Sequence, residues 1–202
     1  MHLHLPHLIY SGPPIDDAPI LDRLPPELAA ALRERNGSIG WQGVVHLRGA
    51  CIAPQWHSLR NAAEGSDSFP SLYPALEPTD LAFAEEAFGD QFLLRQGAVI
   101  RLLAETGETE PCGESIDSWF SALLADPETM LGYEPAQALD AAGGKLEPGQ
   151  LISAYPPFCI ASDAVRREFK PVAALSRRGW LAGLAARMRE LPDGAEIEIK
   201  QP

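Results

Sequence analysis

The chain has few cysteines. Among its 202 residues only Cys51, Cys112 and Cys159 occur, and no two of them form a C-x-x-C pair. A zinc ribbon and a redox-active dithiol both need such a pair, so neither kind of site is expected. An odd number of widely spaced cysteines is typical of a reducing compartment, which predicts a cytoplasmic protein without disulfides. A chain of this length forms a hydrophobic core without metal cross-links, and no metal site is predicted.

Long apolar runs and an excess of basic residues are also missing. No run approaches the roughly 18 residues that cross a bilayer, and the N-terminal segment lacks the basic flank of a signal peptide. The chain carries 16 Lys and Arg against 28 Asp and Glu, a formal net charge of −12. Nucleic acids and anionic membranes are bound through basic surfaces. We therefore expect neither as a partner, whereas a basic protein partner stays open.

The short motifs of common enzyme sites are absent. The glycine-rich segment 37–43 follows a predicted helix, whereas a dinucleotide-binding loop needs a preceding strand. There is no phosphate-binding loop and no G-x-S-x-G nucleophile elbow. One catalytic alternative is a thiol hydrolase, because Cys51 lies near His46 and His57 in sequence and an imidazole can activate a thiolate. We expect Cys51 instead to be a small buried residue, and no cofactor is predicted.

Proline and glycine divide the first part of the chain. Residues 1–23 contain four prolines, which predicts an extended lead-in. Apolar residues at helical spacing in 24–32 predict a helix that ends at Asn36 and Gly37. The segment 41–48 lies between glycines and is rich in β-branched residues, so it predicts one short strand. The polar segment 61–78 predicts a long loop.

The middle of the chain has the most regular pattern. The apolar runs 92–95 and 98–104 are separated by Gln96 and Gly97, which predicts a β-meander. Ser115 then precedes apolar residues at helical spacing and predicts the cap of a helix.

The last part of the chain predicts a second unit. A strand is expected at 151–155, a basic amphipathic helix at about 172–190, and a final strand at 195–200. We expect the apolar side of the helix to pack, while its arginines, including Arg177 and Arg178, either stay solvated or cover the acidic body of the protein.

Several short motifs follow one another in a recognisable order. They are Leu24-Pro-Pro-Glu-Leu, Asn36-Gly37, Gln55-Trp56, the segment 81–92, Gly97-Ala-Val-Ile, Glu105-Thr-Gly-Glu108 and Trp119-Phe120. In this order they resemble the SUKH superfamily, which includes a fungal cell-wall-synthesis regulator and many bacterial immunity proteins of toxin systems. The resemblance covers residues 24–135, and it leaves out the lead-in 1–23 and the extension 136–202.

The resemblance implies an α+β fold, with a curved, mainly antiparallel sheet and helices packed on one side. It places a strand at 81–84, where composition alone favours a helix. Outside the resemblance, we expect residues 136–202 to form a C-terminal β-α-β-like extension packed on this domain. It also implies function by binding another protein, without a cofactor. We therefore expect a non-catalytic protein-binding module, such as an immunity protein that neutralises a toxin. A regulatory or scaffold protein of the same fold is the alternative, and the oligomeric state stays open.

Acidic residues are concentrated in one region. Residues 60–140 have sixteen acidic and three basic side chains, a net charge of −13, whereas residues 141–202 carry a net charge of +2. We expect the contact surface for a basic partner, such as a toxin domain, at the meander turn and the following helix start. Its candidate residues are Glu105, Glu108, Glu110, Glu114 and Asp117, with Trp41 and Trp56 as candidate aromatic anchors. The alternative for these carboxylates is solvated turns and a helix N-terminus, which favours negative charge, and the alternative for the tryptophans is core packing.

Overall fold

The computed structural model describes residues 3–160 and 166–192. The strands are β1 (Tyr10–Ser11), β2 (Ser38–Gly40), β3 (Val45–Leu47), β4 (Leu81–Glu86), β5 (Gln91–Arg95), β6 (Ala98–Leu103), β7 (Glu108–Gly113), β8 (Gln150–Tyr155) and β9 (Glu168–Ala173). The helices are α1 (Ala18–Leu21), α2 (Pro26–Glu34), α3 (Leu59–Ala63), α4 (Phe69–Leu72), α5 (Ile116–Ala125), α6 (Pro127–Leu131), α7 (Pro135–Ala141) and α8 (Ala174–Met188).

Strands β1 to β7 form one antiparallel sheet in which each strand pairs with the next strand in sequence. The turn between β5 and β6 has positive φ at Gln96 and Gly97, 52° and 92°, as a tight two-residue hairpin requires. The predicted meander is therefore confirmed. The segment 81–84 lies in β4 as a strand, as the resemblance implied. The α+β class with a mainly antiparallel, open sheet is confirmed as well.

The described part of residues 1–23 is not simply an extended lead-in, so that prediction is wrong. Leu3 and Leu5 are buried in the main core, and β1 pairs with β2. The Asp17 side chain caps α1 by accepting the Ile20 N–H at 3.3 Å. Pro19 lies in the first turn of α1, where backbone N–H groups have no helical partner, and it is therefore compatible with the helix.

Two further local predictions are wrong. The segment 41–48 is not one strand, because Trp41 and Gln42 have positive φ, 44° and 55°, in a 3₁₀ turn that separates β2 from β3. The segment 61–78 is not a continuous loop, because it contains the end of α3 and all of α4. In α3 the Ser58 side chain accepts the Asn61 N–H at 3.2 Å, which is a local cap rather than a loop feature.

Helices cover both faces of the sheet rather than one. The larger apolar cluster joins Phe92 of β5 to Leu28 of α2 and Trp119 of α5. A second cluster joins Leu93 of β5 to Ala182 of α8. Phe92 and Leu93 are neighbours whose side chains point to opposite faces, so the two clusters lie on opposite sides of the sheet. The second layer combines Ala62 of α3 and Phe69 of α4 with Ala182 and Ala185 of α8, and of these helices only α8 lies outside the region of the resemblance.

The predicted cap of α5 is confirmed. The Ser115 hydroxyl accepts the Ser118 N–H at 3.1 Å, and the Ser118 hydroxyl accepts the Ser115 N–H at 3.0 Å. Trp119, one residue later, is completely buried.

The C-terminal region begins with a two-stranded sheet, β8 and β9, and the Ile152 N–H of β8 donates to the Ala87 carbonyl at 2.7 Å. Helix α8 follows β9, so the start of the predicted helix at 172–190 is a strand. Both alternatives predicted for its arginines are observed, since Arg187 and Arg189 are exposed whereas Arg177 and Arg178 are buried against the body of the protein. Arg177 and Arg178 are 1% and 7% exposed, and an Arg177 nitrogen lies 3.7 Å from Glu105 Oε1. The predicted strand at 195–200 lies outside the described residues.

Candidate ligand-binding cleft

A cleft with a volume of about 560 Å³ lies between the main sheet, α6, α7 and the segments that flank β8 and β9. Pockets for small organic molecules measure roughly 300–1,000 Å³ and are mostly apolar, as this one is. We call Phe88, Tyr133, Phe158 and Phe169 its aromatic wall, and Glu86, Asp90, Arg101 and Glu105 its charged cluster.

The aromatic wall is centred on Phe88, in the turn between β4 and β5. The Phe88 ring meets Tyr133 at 5.0 Å and Phe158 at 5.1 Å, both nearly perpendicular, and Phe169 at 6.0 Å. Edge-to-face packing of this kind is favourable for aromatic rings. Gly132, with φ of 85°, ends α6 in a left-handed conformation directly before Tyr133. Phe158 is nevertheless 46% exposed, so part of the wall faces solvent.

Glu86 ends strand β4 and is 1% exposed. Its carboxylate accepts the Asp90 N–H at 2.8 Å, the Phe88 N–H at 3.0 Å and the Tyr133 hydroxyl. Among the residues described, no Lys or Arg forms an ion pair with it. Burial, and then the charge of Asp90, raise the pKa of Glu86 to about 7.

Asp90 and Arg101 neutralise each other beside Glu86. An Arg101 nitrogen lies 2.7 Å from Asp90 Oδ2, and Asp90 Oδ1 accepts the Ala104 N–H at 2.8 Å. Arg101 also donates to the Leu131 carbonyl at 3.0 Å, which links the sheet to the end of α6. Burial raises the pKa of Asp90, although Arg101 opposes the shift. Arg101 thus pairs with Asp90 rather than with Glu86, although its charge partly opposes the rise in the pKa of Glu86.

Glu105 forms the far side of the charged cluster. Its Oε2 accepts the Cys159 N–H at 2.8 Å, and its Oε1 lies 3.7 Å from Arg177, beyond hydrogen-bond distance. Burial raises the pKa of Glu105. Burial and the neighbouring Glu105 also raise the pKa of the Cys159 thiol to about 12. Cys159 therefore stays protonated at neutral pH.

The sequence-predicted acidic surface divides into two parts. Glu105 is half-buried and lines the cleft. Glu108 and Glu110 are exposed on β7, and Glu114 and Asp117 are exposed at the start of α5. The structure thus places one of the five residues in the cleft and four of them outside it.

The two tryptophans lie away from the cleft lining. Trp41 is half-buried and packs against the main core. Trp56 packs among the rings of Tyr10, His46 and His57, with centroids at 5.1, 5.3 and 5.5 Å. A Cβ at Gly149 would lie 2.8 Å from Trp56 Nε1, so the C-terminal region closes tightly over this ring. Packing accounts for both positions.

The thiol hydrolase arrangement is not formed. His46 Nδ1 lies 2.7 Å from Glu85 Oε1, His46 Nε2 lies 2.7 Å from His57 Nδ1, and His57 Nε2 donates to the Asn36 carbonyl at 2.9 Å. All four ring nitrogens are therefore engaged with partners other than Cys51. Cys51 is fully buried, as expected, and burial together with two nearby aspartates raises its thiol pKa to about 11.

Residues 3–160 and 166–192 contain neither a metal-ion cluster nor a helix that could span a membrane. No group of three or more His, Cys, Asp or Glu side chains there is arranged to hold a metal ion. No helix in the same residues has the length and apolar character needed to cross a membrane.

The sequence reasoning missed most of the cleft. The clearest available signal was the pair Glu85 and Glu86, two carboxylates between Ala84 and Ala87 directly after the predicted strand 81–84, because charged side chains are rarely buried without a partner or a role. Tyr133 had no comparable signal, since it reaches Glu86 across 47 positions of sequence and only the fold brings the two together.

Comparison with known proteins supports the fold. A crystal structure of Atu4351 from Agrobacterium tumefaciens is similar, with a TM-score of 0.58 and 20% sequence identity, and the match covers 88% of this chain and 84% of that chain. At this identity the likeness concerns the fold alone. No family model and no curated protein matches the chain, so membership of the SUKH superfamily stays a prediction.

Proposed function

We propose that the protein is a non-catalytic binding module whose ligand is a small organic molecule that enters the cleft. The observation that carries this proposal is the cleft itself, about 560 Å³ of mostly apolar space bounded by the aromatic wall and the charged cluster. Pockets of this size and lining are where soluble proteins bind small molecules. Shifted pKa values gathered in a cleft are a further mark of a functional site.

The lining indicates that the ligand has an apolar body. Most polar groups of the cleft already bond within the protein, as Glu86 does with Tyr133 and Asp90 does with Arg101. The surface left for a ligand is therefore largely aromatic and aliphatic. Burial of each CH₂ group against such a surface contributes about 0.8 kcal/mol.

The state of the thiol in the cleft favours binding over nucleophilic chemistry. A pKa of about 12 leaves Cys159 protonated at neutral pH, and a protonated thiol is a poor nucleophile.

The proposal is tested by filling the cleft. Ala141 at the end of α7 lines the cleft and is half-buried, so Ala141→Trp adds a bulky indole at the cleft wall. Ala136→Trp is the matched control, because Ala136 is exposed on the same helix and outside the cleft lining. With 4-phenylbutan-1-ol as the probe, NMR titration should show binding to wild type and Ala136→Trp, and at least tenfold weaker binding to Ala141→Trp. Equal binding to the two variants, or no binding to wild type, contradicts the proposal.

The cysteines supply an independent readout. Cys159 lines the cleft, whereas Cys112 is half-buried elsewhere. Saturating 4-phenylbutan-1-ol should slow alkylation of Cys159 by N-ethylmaleimide and leave the rate at Cys112 unchanged. Equal rates at Cys159 with and without the probe would show that the cleft is not its site.

A second candidate function is the binding of a basic protein, which the SUKH resemblance implies. It is favoured by β7, which among residues 3–160 and 166–192 pairs only with β6 and which exposes Glu108 and Glu110. An edge strand has unpaired backbone groups that a partner strand can use. Under this proposal the protein acts in the cytoplasm, as an immunity protein or as a scaffold.

The second candidate is tested by charge reversal. Glu108→Lys with Glu110→Lys should abolish binding to the protein encoded beside this one, and added salt should weaken wild-type binding. Reversal of Glu114 on the neighbouring helix is the control. Unchanged affinity of the double variant in isothermal titration would remove the β7 edge from consideration.

A further inference from the structure

We infer that the ligand of the cleft is an organic cation, an ammonium group on an apolar body, and that this cation is the missing counter-ion of Glu86. The inference rests on the proposed function and adds the charge of the ligand to it.

The carboxylates of the cleft differ in whether they have a cationic partner. Asp90, in the β4–β5 turn, is paired with Arg101 of β6 at 2.7 Å. Glu105, after β6, faces Arg177 of α8 at 3.7 Å. Tyr133, after α6, contributes a neutral hydroxyl. Glu86 is thus the one carboxylate of the cleft that no described cation contacts, although it is 1% exposed.

The aromatic wall also favours a cationic ligand. The faces of aromatic rings attract cations, more strongly where water is excluded. The wall already shows this preference, since the Arg167 guanidinium lies 5.1 Å above the ring of Phe158. An ammonium between this wall and the charged cluster would gain from both, and its apolar body would cover the aliphatic part of the lining.

Other charge types fit less well. An anionic ligand would enter beside Glu86, which no described cation contacts, and like charges at close range are unfavourable. A bare metal ion would use none of the apolar lining. A neutral ligand would leave Glu86 without a counter-ion.

Proton linkage follows from this placement. Burial and Asp90 raise the pKa of Glu86 to about 7, so roughly half of the free protein holds a proton there at pH 7. An ammonium stabilises the ionised carboxylate and therefore displaces that proton. Its affinity should rise about tenfold between pH 6 and pH 8 and then level off. The ammonium itself stays charged over this range, as lysine does with a pKa of about 10.4.

The test compares three probes that share one body. They are 4-phenylbutylamine, 4-phenylbutan-1-ol and 4-phenylbutyrate, titrated into the full chain at pH 6, 7 and 8. The inference predicts that at pH 8 the amine binds at least tenfold more tightly than the alcohol and that the carboxylate binds most weakly. As pH rises from 6 to 8, the affinity of the amine should rise, that of the carboxylate should fall, and that of the alcohol should stay constant. Equal affinities of amine and alcohol overturn the inference and leave the proposed function standing. No binding of any probe overturns both.

Glu86→Gln separates charge from shape. The variant should lose the preference for the amine over the alcohol, and its affinity for the amine should no longer depend on pH. Glu114→Gln, which changes an exposed carboxylate outside the cleft, is the matched control and should behave as wild type. If Glu86→Gln does not fold, the side-chain carboxyl carbon of Glu86 is followed by NMR in wild type as pH is varied. The amine should lower the pH at which Glu86 is half-ionised. A titration midpoint that is the same with and without bound amine contradicts the inference.

A lysine side chain of a protein carries the same ammonium group as a small amine. The dipeptide acetyl-Phe-Lys-amide therefore serves as a fourth probe. We expect 4-phenylbutylamine to bind more tightly, because its narrow body fits a closed cleft. Tighter binding of the dipeptide would contradict a small-molecule ligand.

Discussion

Glu85 and Glu86 are consecutive residues of β4, so their side chains point to opposite faces of the sheet, and both are buried. On one face Glu85 lies 2.7 Å from both Arg48 and His46. On the other face Glu86 accepts hydrogen bonds without a cation in contact. Burial opposes ionisation of both, but Arg48 and His46 hold the pKa of Glu85 well below its usual range. The pKa of Glu86 is raised to about 7.

The two glutamates show that a buried carboxylate can have two different roles. Glu85 connects β4 to β3 and, through Arg48, to Gln91 of β5, so its charge holds three strands in register. An uncompensated charge at Glu86 lowers stability at neutral pH. A ligand that binds only the folded protein and supplies the opposite charge would offset this loss.

The largest effect is expected when the ion pair between Arg48 and Glu85 is removed. Arg48→Met leaves Glu85 buried without its main counter-ion, and removal of one partner of a buried pair costs about 3–5 kcal/mol. We expect a loss of this size in the free energy of unfolding, measured in urea at pH 7. Arg33→Met, at an exposed position of α2, should stay within about 0.5 kcal/mol of wild type. Similar values for the two variants would show that Glu85 does not depend on Arg48.

A smaller effect on the free energy of unfolding is expected from Glu86, which no described cation contacts. The folded-state pKa of Glu86, about 7, lies above its ordinary value of 4.5, so the folded protein binds more protons than the unfolded chain between these values. The stability that Glu86 contributes is therefore present below about pH 4.5 and falls by about 3 kcal/mol as pH rises to 7. Relative to wild type, Glu86→Gln should gain about this much between pH 5 and pH 8 in urea unfolding. A constant difference between the two proteins would mean that Glu86 titrates normally.

The smallest of the three effects concerns His57, whose ring contacts His46 on the same face of the sheet as Glu85. Burial, and then the neighbouring His46 ring, lower the pKa of His57 to about 3 from an ordinary 6.5. The unfolded chain thus binds more protons below pH 6.5, and His57 costs about 2 kcal/mol of stability by pH 5. The imidazole nitrogen shifts of His57 in NMR should stay those of a neutral ring down to pH 5. A titration midpoint above pH 5 would contradict this.

Local patterns were enough to predict several elements and not enough to predict the cleft. Ser115 signalled the cap of α5, and Gln96 with Gly97 signalled the β5–β6 turn, because both features are set by a few neighbouring residues. The prolines of the first 23 residues suggested an extended segment, but Pro19 lies where a helix tolerates proline. Arg177 is buried because α8 packs over Glu105, a contact that sequence spacing does not reveal.

Local sequence patterns also failed to predict which residues line the cleft. Glu105 was a candidate as an exposed contact residue, yet it is half-buried in the cleft, where burial raises its pKa. Phe88, Tyr133 and Phe158 form one wall although they belong to three separate connections of the chain. Only the completed fold brings such residues together, so their common role is invisible in sequence.

The most direct test of this account is an NMR titration of the side-chain carboxyl carbons of Glu85 and Glu86 in the wild-type protein. The account predicts a midpoint near pH 7 for Glu86 that falls when 4-phenylbutylamine is added, and a Glu85 carboxylate that stays ionised well below the usual range of glutamate. Two neighbouring glutamates that both titrate near the ordinary value of 4.5 would contradict it.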